Sequence, residues 1–355
     1  MAVISFKCPN CDGELIFDPT TQKYKCEYCD SIFSQEEIEA MKPAAASEQK
    51  MSREPEPDGD AGVADGDAVR YTCPSCGAEI ITDDTTAATF CYYCHNPVVL
   101  GGRLDGSFLP NKIIPFAVSK EVAVKAFLDH VGKKKFIPKA FFNQKQIESV
   151  TGVYFPYWLY DVELEGSLQG DARQVRVWRV GDNEYTETKF YAVERGGDIS
   201  LDNLSENALK KANAKLAGGV MPFDFKLMKD FHTGYLSGFM AERRDIEQSA
   251  VQNKMQAVMR ESAEKLLRET VTGYSSVSVK NSNFRPKSER WSYVLLPVWT
   301  ITYKGRNEKI YYYSMNGQTG KVCGELPIDD VKLGIVSALV GIAVLILGLI
   351  GGFFA

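Results

Sequence analysis

Three features of the sequence predict an α+β chain that opens with two small metal-stapled units and closes with a membrane-crossing helix. Two pairs of CxxC knuckles recur at the same internal spacing. Helical and strand-like patterns interleave over residues 102–328. The last 23 residues, 333–355, contain no charge and no Asn, Gln, His or Pro.

The first unit reads FKCPNCDGELIFDPTTQKYKCEYCDSIFS. Cys8-x2-Cys11 is followed after fourteen residues by Cys26-x2-Cys29. Each knuckle offers two sulfurs from one tight turn, and the intervening hairpin brings the pairs together, as a tetrahedral zinc site requires. A redox pair of thioredoxin type would show one CxxC opening a helix in a βαβ unit, and here a second CxxC follows a hairpin. A piece this short buries too little apolar surface to fold alone, so metal binding supplies the folding free energy. Ser34 and Glu37 form a capping box for a short helix that ends before Pro43. The unit then recurs. Cys73-x2-Cys76 and Cys91-x2-Cys94 repeat the spacing, each cysteine 65 positions after its counterpart. His95 beside Cys94 is a spare neighbour, since four cysteines complete the site. Two Zn²⁺ ions per chain are therefore expected.

Residues 43–68 lack aromatics and are dominated by Ala, Gly, Pro and acidic side chains, so they read as a disordered acidic linker. Such a tether spans roughly 25–30 Å root-mean-square and would let the first ribbon search a wide volume. The predicted organisation is zinc ribbon 1 with its helix (1–42), linker (43–68), zinc ribbon 2 (69–101), an α+β domain (102–328) and a transmembrane helix (333–355).

Within 102–328, Ser119 caps a predicted helix over 120–131 with Val122, Ala126 and Val131 near one face. Residues 152–162 read as a strand that Pro156 assigns to an edge or a bulge. Residues 173–180 alternate basic and apolar side chains, the pattern of a half-buried strand. A short helix is expected near 204–216, and a long one between about 239 and 271 with Val251, Met255, Val258 and Leu266 on its apolar stripe. Strands resume at 291–304, and Asn316-Gly317 turns a hairpin. Val153, Pro156 and Trp158 match Val294, Pro297 and Trp299 at an offset of 141, which suggests two halves of common origin.

At ~1.5 Å per residue the terminal stretch reaches ~34 Å, enough to cross a ~30 Å hydrocarbon core. With no signal peptide at the N-terminus and nothing after Ala355, the expectation is a tail anchor: a single-pass protein of the cell membrane with its bulk in the cytoplasm. That compartment keeps cysteines reduced, so thiols or metal ligands are expected rather than disulfides. Ser337, Gly341, Gly348 and Gly352 put small residues on one helix face, a candidate contact for homo- or hetero-association.

The net charge of −5 hides an acidic front of −11 over residues 1–101 and a basic remainder of +6. Residues 1–42 carry four Lys/Arg against eight Asp/Glu, and residues 69–101 carry one against three. Four thiolates around Zn²⁺ add about −2 to each unit. Phosphate backbones are bound by Lys and Arg, so nucleic acid is a disfavoured partner and protein contact the favoured one. Three histidines, at 95, 130 and 232, lie in no GxSxG, HExxH or P-loop pattern, and no active site is predicted.

Paired CPxC…CxxC ribbons, the FPYW strand at 155–158, the NGQTGKVCGELP stretch at 316–327 and the terminal helix together resemble a family of bacterial membrane proteins. These are generally labelled TFIIB-type zinc-ribbon-containing proteins. Genes of that family often neighbour those for SPFH (flotillin-like) and PspA-like proteins. The resemblance implies an adaptor that collects such proteins at the inner membrane face in envelope stress; with no active site predicted, the expectation is a non-enzymatic scaffold. The acidic ribbons give the transcriptional half of the label no support.

Overall fold

The computed structural model describes residues 3–40, 44–45, 69–73, 76–91, 96–100, 103–104, 106–138, 150–212, 218–304 and 310–354. The mixed α+β class is as expected. Nine short strands serve the cysteine-rich front: β1 (Val3–Ser5), β2 (Leu15–Asp18), β3 (Lys23–Cys26), β4 (Ile32–Phe33), β5 (Ala44–Ala45), β6 (Val69–Thr72), β7 (Glu79–Thr82), β8 (Thr86–Phe90) and β9 (Pro97–Leu100). The main domain follows as β10 (Lys112–Ile113), β11 (Thr151–Val180), β12 (Asn183–Asn207), β13 (Lys229–Asp230), β14 (Met240–Glu242), β15 (Ser276–Lys304), β16 (Ile310–Asn316) and β17 (Val322–Gly324). Helix α1 (Gln35–Ala40) closes the first unit, α2 (Lys120–Gly132) and α3 (Gln248–Glu269) belong to the main domain, and α4 (Asp330–Phe354) ends it.

At the centre, β11 and β15 run antiparallel from Thr151↔Thr300 to Arg173↔Ser276. The 141-residue echo is real structure. Each long strand is preceded by a short strand and a helix and is followed by a hairpin partner, giving two β-α-β-β units. The units exchange their first strands. β10 of the first lies parallel to β15 of the second at Val294 and Leu295, and β14 of the second lies parallel to β11 of the first at Val153 and Tyr154.

The matched residues each have a job in this exchange. Val153 and Val294 start the parallel pairings. The Ala208 N–H donates to Pro156 O at 3.0 Å, and the Gly317 N–H donates to Pro297 O at 2.8 Å. In a strand, one residue's N and O point to the same side. The missing proline N–H therefore falls where the parallel partner has ended and the hairpin partner has barely begun, with the β12 pairing beginning at Tyr157↔Asn207 and the β16 pairing at Val298↔Asn316. Pro156 thus lies in a central strand paired on both sides; of the two expectations the edge does not hold, while the strand does carry a bulge, between Tyr160 and Val162. Trp158 Nε1 donates to Ile246 O and Trp299 Nε1 to Val118 O, both at 2.9 Å. Those carbonyls directly precede Glu247 and Ser119, the N-caps of α3 and α2. Each indole ties down the start of the other unit's helix.

Other elements differ from expectation. In α2 the buried face is Ala123, Phe127 and Val131, while Val122 is 55% exposed. In α3 the buried stripe is Val251, Met255, Met259, Ala263 and Leu267, and Val258 and Leu266 are exposed. Steps of four follow a ridge inclined to the helix axis, so α3 crosses β11, β12 and β15 obliquely. Residues 240–242, expected in that helix, are strand β14, claimed by β11 on one side and β8 on the other. Residues 204–207, also expected helical, complete β12. Residues 173–180 are exposed rather than half-buried, because β15 stops at Ser276 and leaves β11 and β12 as a two-stranded tip. Its two-residue turn places Gly181 at φ 62°, the position that a type II′ turn reserves for glycine.

The first cysteine-rich unit is docked, contrary to the free search that a tether suggests. Leu15, Phe17 and Tyr24 are buried in the main core, where Phe17 meets Tyr235 edge-on at 5.3 Å. The Phe17 N–H donates to Ser237 O at 3.2 Å, and Gln22 Nε2 donates to Phe116 O at 2.7 Å. β14 pairs with β8, β8 with β9, β9 with β1 and β1 with β5, so one sheet runs from the main domain through the second unit into the first. Of the expected linker, Ala44 and Ala45 form β5, and residues 46–68 lie outside the described residues.

Replacing either tryptophan with phenylalanine removes one indole N–H and leaves a helix-start carbonyl unpaired. Trp158→Phe and Trp299→Phe should each cost about 1–3 kcal/mol, and similar amounts, because their roles are equivalent. Denaturant midpoints of the purified protein measure this, and a neutral result at either position would break the equivalence.

Candidate metal centres

The knuckles have one backbone design. The Cys8 N–H donates to Gly13 O at 2.7 Å and the Asp12 N–H to Cys8 O at 2.8 Å. The same pair of bonds joins Cys26 with Ser31 and Asp30, and Cys73 with Ala78 and Gly77. The residue four after the leading cysteine takes a left-handed φ: Asp12 at 58°, Asp30 at 58° and Gly77 at 74°. Asp and Gly tolerate that region where most residues do not. The turn closes so tightly that a Cβ on Gly13 would stand 2.5 Å from the Tyr28 ring.

This design brings Cys8, Cys11, Cys26 and Cys29 together, with all four sulfurs within 4.8 Å of one another. Cys8 and Cys29 are 3.6 Å apart, Cys11 and Cys26 3.5 Å, and Cys11 and Cys29 3.3 Å. Sulfurs held ~2.3 Å from a tetrahedral zinc stand about 3.8 Å from each other, so the set has nearly closed to metal geometry. Cys73, Cys76 and Cys91 form the second cluster, with Cys76 and Cys91 3.7 Å apart. Its fourth expected ligand, Cys94, and His95 lie outside the described residues. Both clusters could hold a metal ion. In each knuckle the leading cysteine (Cys8, Cys26, Cys73, Cys91) is buried, while Cys11, Cys29 and Cys76 face solvent.

Sequence reasoning missed Ser31. Its hydroxyl lies 3.2 Å from Cys29 and accepts from Asn10 Nδ2 at 2.8 Å, linking the two knuckles of the first unit. The hydroxyl and backbone of Ser31, followed by the Cys11 thiol, lower the Cys29 pKa to about 6. Cys11 moves the other way. The Gly13 N–H pulls it down, but its bonds to Cys29 and Cys26 outweigh this and push it up to about 12. These contacts favour the thiolate at Cys29, the first anchor for a cation. The units also touch: Asn96 Nδ2 donates at 3.3 Å to Oε1 of Glu14, a buried carboxylate paired with Lys7. Four cysteines leave no open coordination position, which is the arrangement of a structural centre rather than a catalytic one.

Cys8→Ser with Cys11→Ser should remove one of the two metal equivalents measured by elemental analysis, and unchanged content would contradict the assignment. Metal affinity of the first centre should fall with pH, because bound thiols must lose their protons. The fall should steepen by one proton below about 6, where Cys29 also becomes protonated. Competition with a chromogenic chelator across pH reads that slope.

No protein-family model matches the chain, and no solved structure matches it. An uncharacterized protein, YdjG of Bacillus subtilis (strain 168), is 33% identical over 333 residues, covering 93% of this chain and 92% of the relative. The chain belongs to the family of YdjG-like proteins.

Proposed function

We propose that the chain is a single-pass membrane scaffold, with its bulk in the cytoplasm and no catalytic activity of its own. Its metal is zinc, its cysteine units are ribbons of the TFIIB-type shape, and it gathers proteins at the membrane face. SPFH-like or PspA-like envelope-stress proteins are the partners that the family resemblance favours. The observation that carries this reading is mechanical continuity. The cysteine units are hydrogen-bonded into the same sheet as the main domain, and that domain grips the base of a helix long and apolar enough to cross a membrane. The Asp329 N–H donates to Phe136 O at 2.7 Å, and Lys332 Nζ donates to Ile137 O at 2.9 Å. A closed thiolate centre supplies rigidity and a shaped surface, which suits binding rather than turnover. The acidic front argues against nucleic acid as the partner.

A crosslinked pull-down from membranes tests this, comparing wild type with a quadruple Ser variant at Cys8, Cys11, Cys73 and Cys76. Recovery of SPFH- or PspA-like proteins by wild type alone is the expected outcome. Nuclease-sensitive nucleic-acid complexes would instead make the chain a membrane-tethered regulatory zinc protein. The helix makes a separate prediction. A Cβ on Gly341 or Gly348 meets nothing within 4 Å of the chain itself. Leu at both positions should therefore leave the fold intact and weaken association through the helix, as read in a membrane two-hybrid assay. An unchanged signal would remove the contact face of Ser337, Gly341, Gly348 and Gly352.

A further inference from the structure

The sheet face opposite α2 and α3 holds two places related by the internal repeat. At the first, Tyr157, Leu159, Val294 and Leu296 are covered by Val220 and Phe223 from the segment after β12. The repeat equivalents of those four residues are Val298, Thr300, Val153 and Phe155. They line a cavity of about 270 Å³. On one side the frame is filled by the chain's own apolar side chains; on the other the described residues leave a cavity, whose wall Tyr157 and Val220 also reach. A volume of that order suits a small organic ligand rather than a single water.

One end of the cavity is polar. Lys211 Nζ lies 2.9 Å from Glu242 and 2.7 Å from Asp83, and Thr85 Oγ1 donates to Glu242 at 2.8 Å. Lys211 and Glu242 line the cavity, and Glu242 is only 8% exposed. Asp83 is half-exposed and lies outside the lining, where it pairs with Lys211 from behind; the ammonium is thus matched by two carboxylates, and Glu242 is the acceptor that the cavity presents. With Lys211 already paired twice, an incoming carboxylate would lose its hydration with no free cation to replace it, while an amine or a hydroxyl donor would find an acceptor in Glu242. Apolar walls with a few convergent polar groups are the usual build of a small-ligand site.

We propose that this cavity binds a single-tailed amphiphile with a cationic or neutral hydrogen-bond-donating head, its short alkyl chain on Val153, Phe155 and Val298 and its head at Glu242 and Lys211. The site is independent of the adaptor reading.

The test uses the full chain in lipid nanodiscs and a photoactivatable diazirine analogue of octylamine, with labelled peptides mapped by mass spectrometry. Labelling should fall on the segments that carry Val153–Phe155 and Val298–Thr300. Unlabelled octylamine or octanol should displace the probe, and octanoate should need about tenfold more. Val298→Trp fills the cavity and should abolish that labelling with metal content and thermal midpoint retained. Should that variant misfold, Thr300→Phe at a half-buried wall position serves the same end. Labelling confined to the membrane helix, displacement by octanoate as readily as by octylamine, or labelling that survives a folded filling variant would overturn the proposal.

Discussion

The antiparallel pairing of β11 with β15 is the constraint on which the rest depends. Each long strand receives its parallel neighbour from the other unit, so neither β-α-β-β unit can complete its own sheet. A unit folded alone would leave one side of its long strand unpaired and its tryptophan without the carbonyl it caps. Buried backbone groups left without partners are costly, and the exchange satisfies them only when both units are present. The two prolines fit because they stand where a partner changes, the one place in a central strand where a missing N–H costs no ladder bond.

The cysteine-rich front inherits its position from the same frame. β14, which the second unit lends to the first, is also the strand that pairs with β8 and so extends the sheet into the cysteine units. These units are too small to stand on apolar burial alone. Here they draw on two sources: the metal that their thiols can bind, and a shared core in which Leu15, Phe17 and Tyr24 pack with Tyr235. The exposed sulfurs Cys11, Cys29 and Cys76 point away from that core, so the metal side of each unit remains a surface while the hairpin side is committed to packing.

Local chemistry made the front legible in the sequence. Knuckle spacing depends on a few neighbouring residues, and the capping box is observed, with the Ser34 N–H donating to Glu37 Oε2 at 2.7 Å and the Glu37 N–H donating to Ser34 Oγ at 3.3 Å. The Val, Pro and Trp echo was legible as a repeat, but not as an exchange, since nothing local says which copy supplies β10 or β14. Residues 240–242 look helical because helix-forming side chains follow them directly; the strand is imposed by β11 and β8, both distant in sequence. The stripe of α3 is only partly legible for a related reason. Steps of three and four are equally good on a helix, and only the angle at which it crosses the sheet selects the i+4 row. Ser31 gave no signal, because a serine after a knuckle is unremarkable until it meets Cys29.

The internal repeat supplies two equivalent places, and the chain uses them differently. Phe116 and Arg244 each stand two residues before the carbonyl that a tryptophan caps, and each N–H donates to a tyrosine hydroxyl at 3.3 Å. Phe116 packs on Trp299 with ring centroids 5.0 Å apart, and its carbonyl receives Gln22 of the first cysteine unit. Arg244 instead buries a guanidinium 5.0 Å from the centroid of the Trp158 ring. A buried charge is tolerated only with compensation. Arg244 finds it in the Ser107 carbonyl at 2.7 Å, in Glu247 at 2.6 Å and in the faces of Phe108 and Tyr293. The apolar copy became a docking point for a metal unit, and the charged copy became a lock on the start of α3. The same logic separates the plugged and open places on the opposite face. A symmetric frame carries the stability, which leaves its two halves free to take on unlike chemistry.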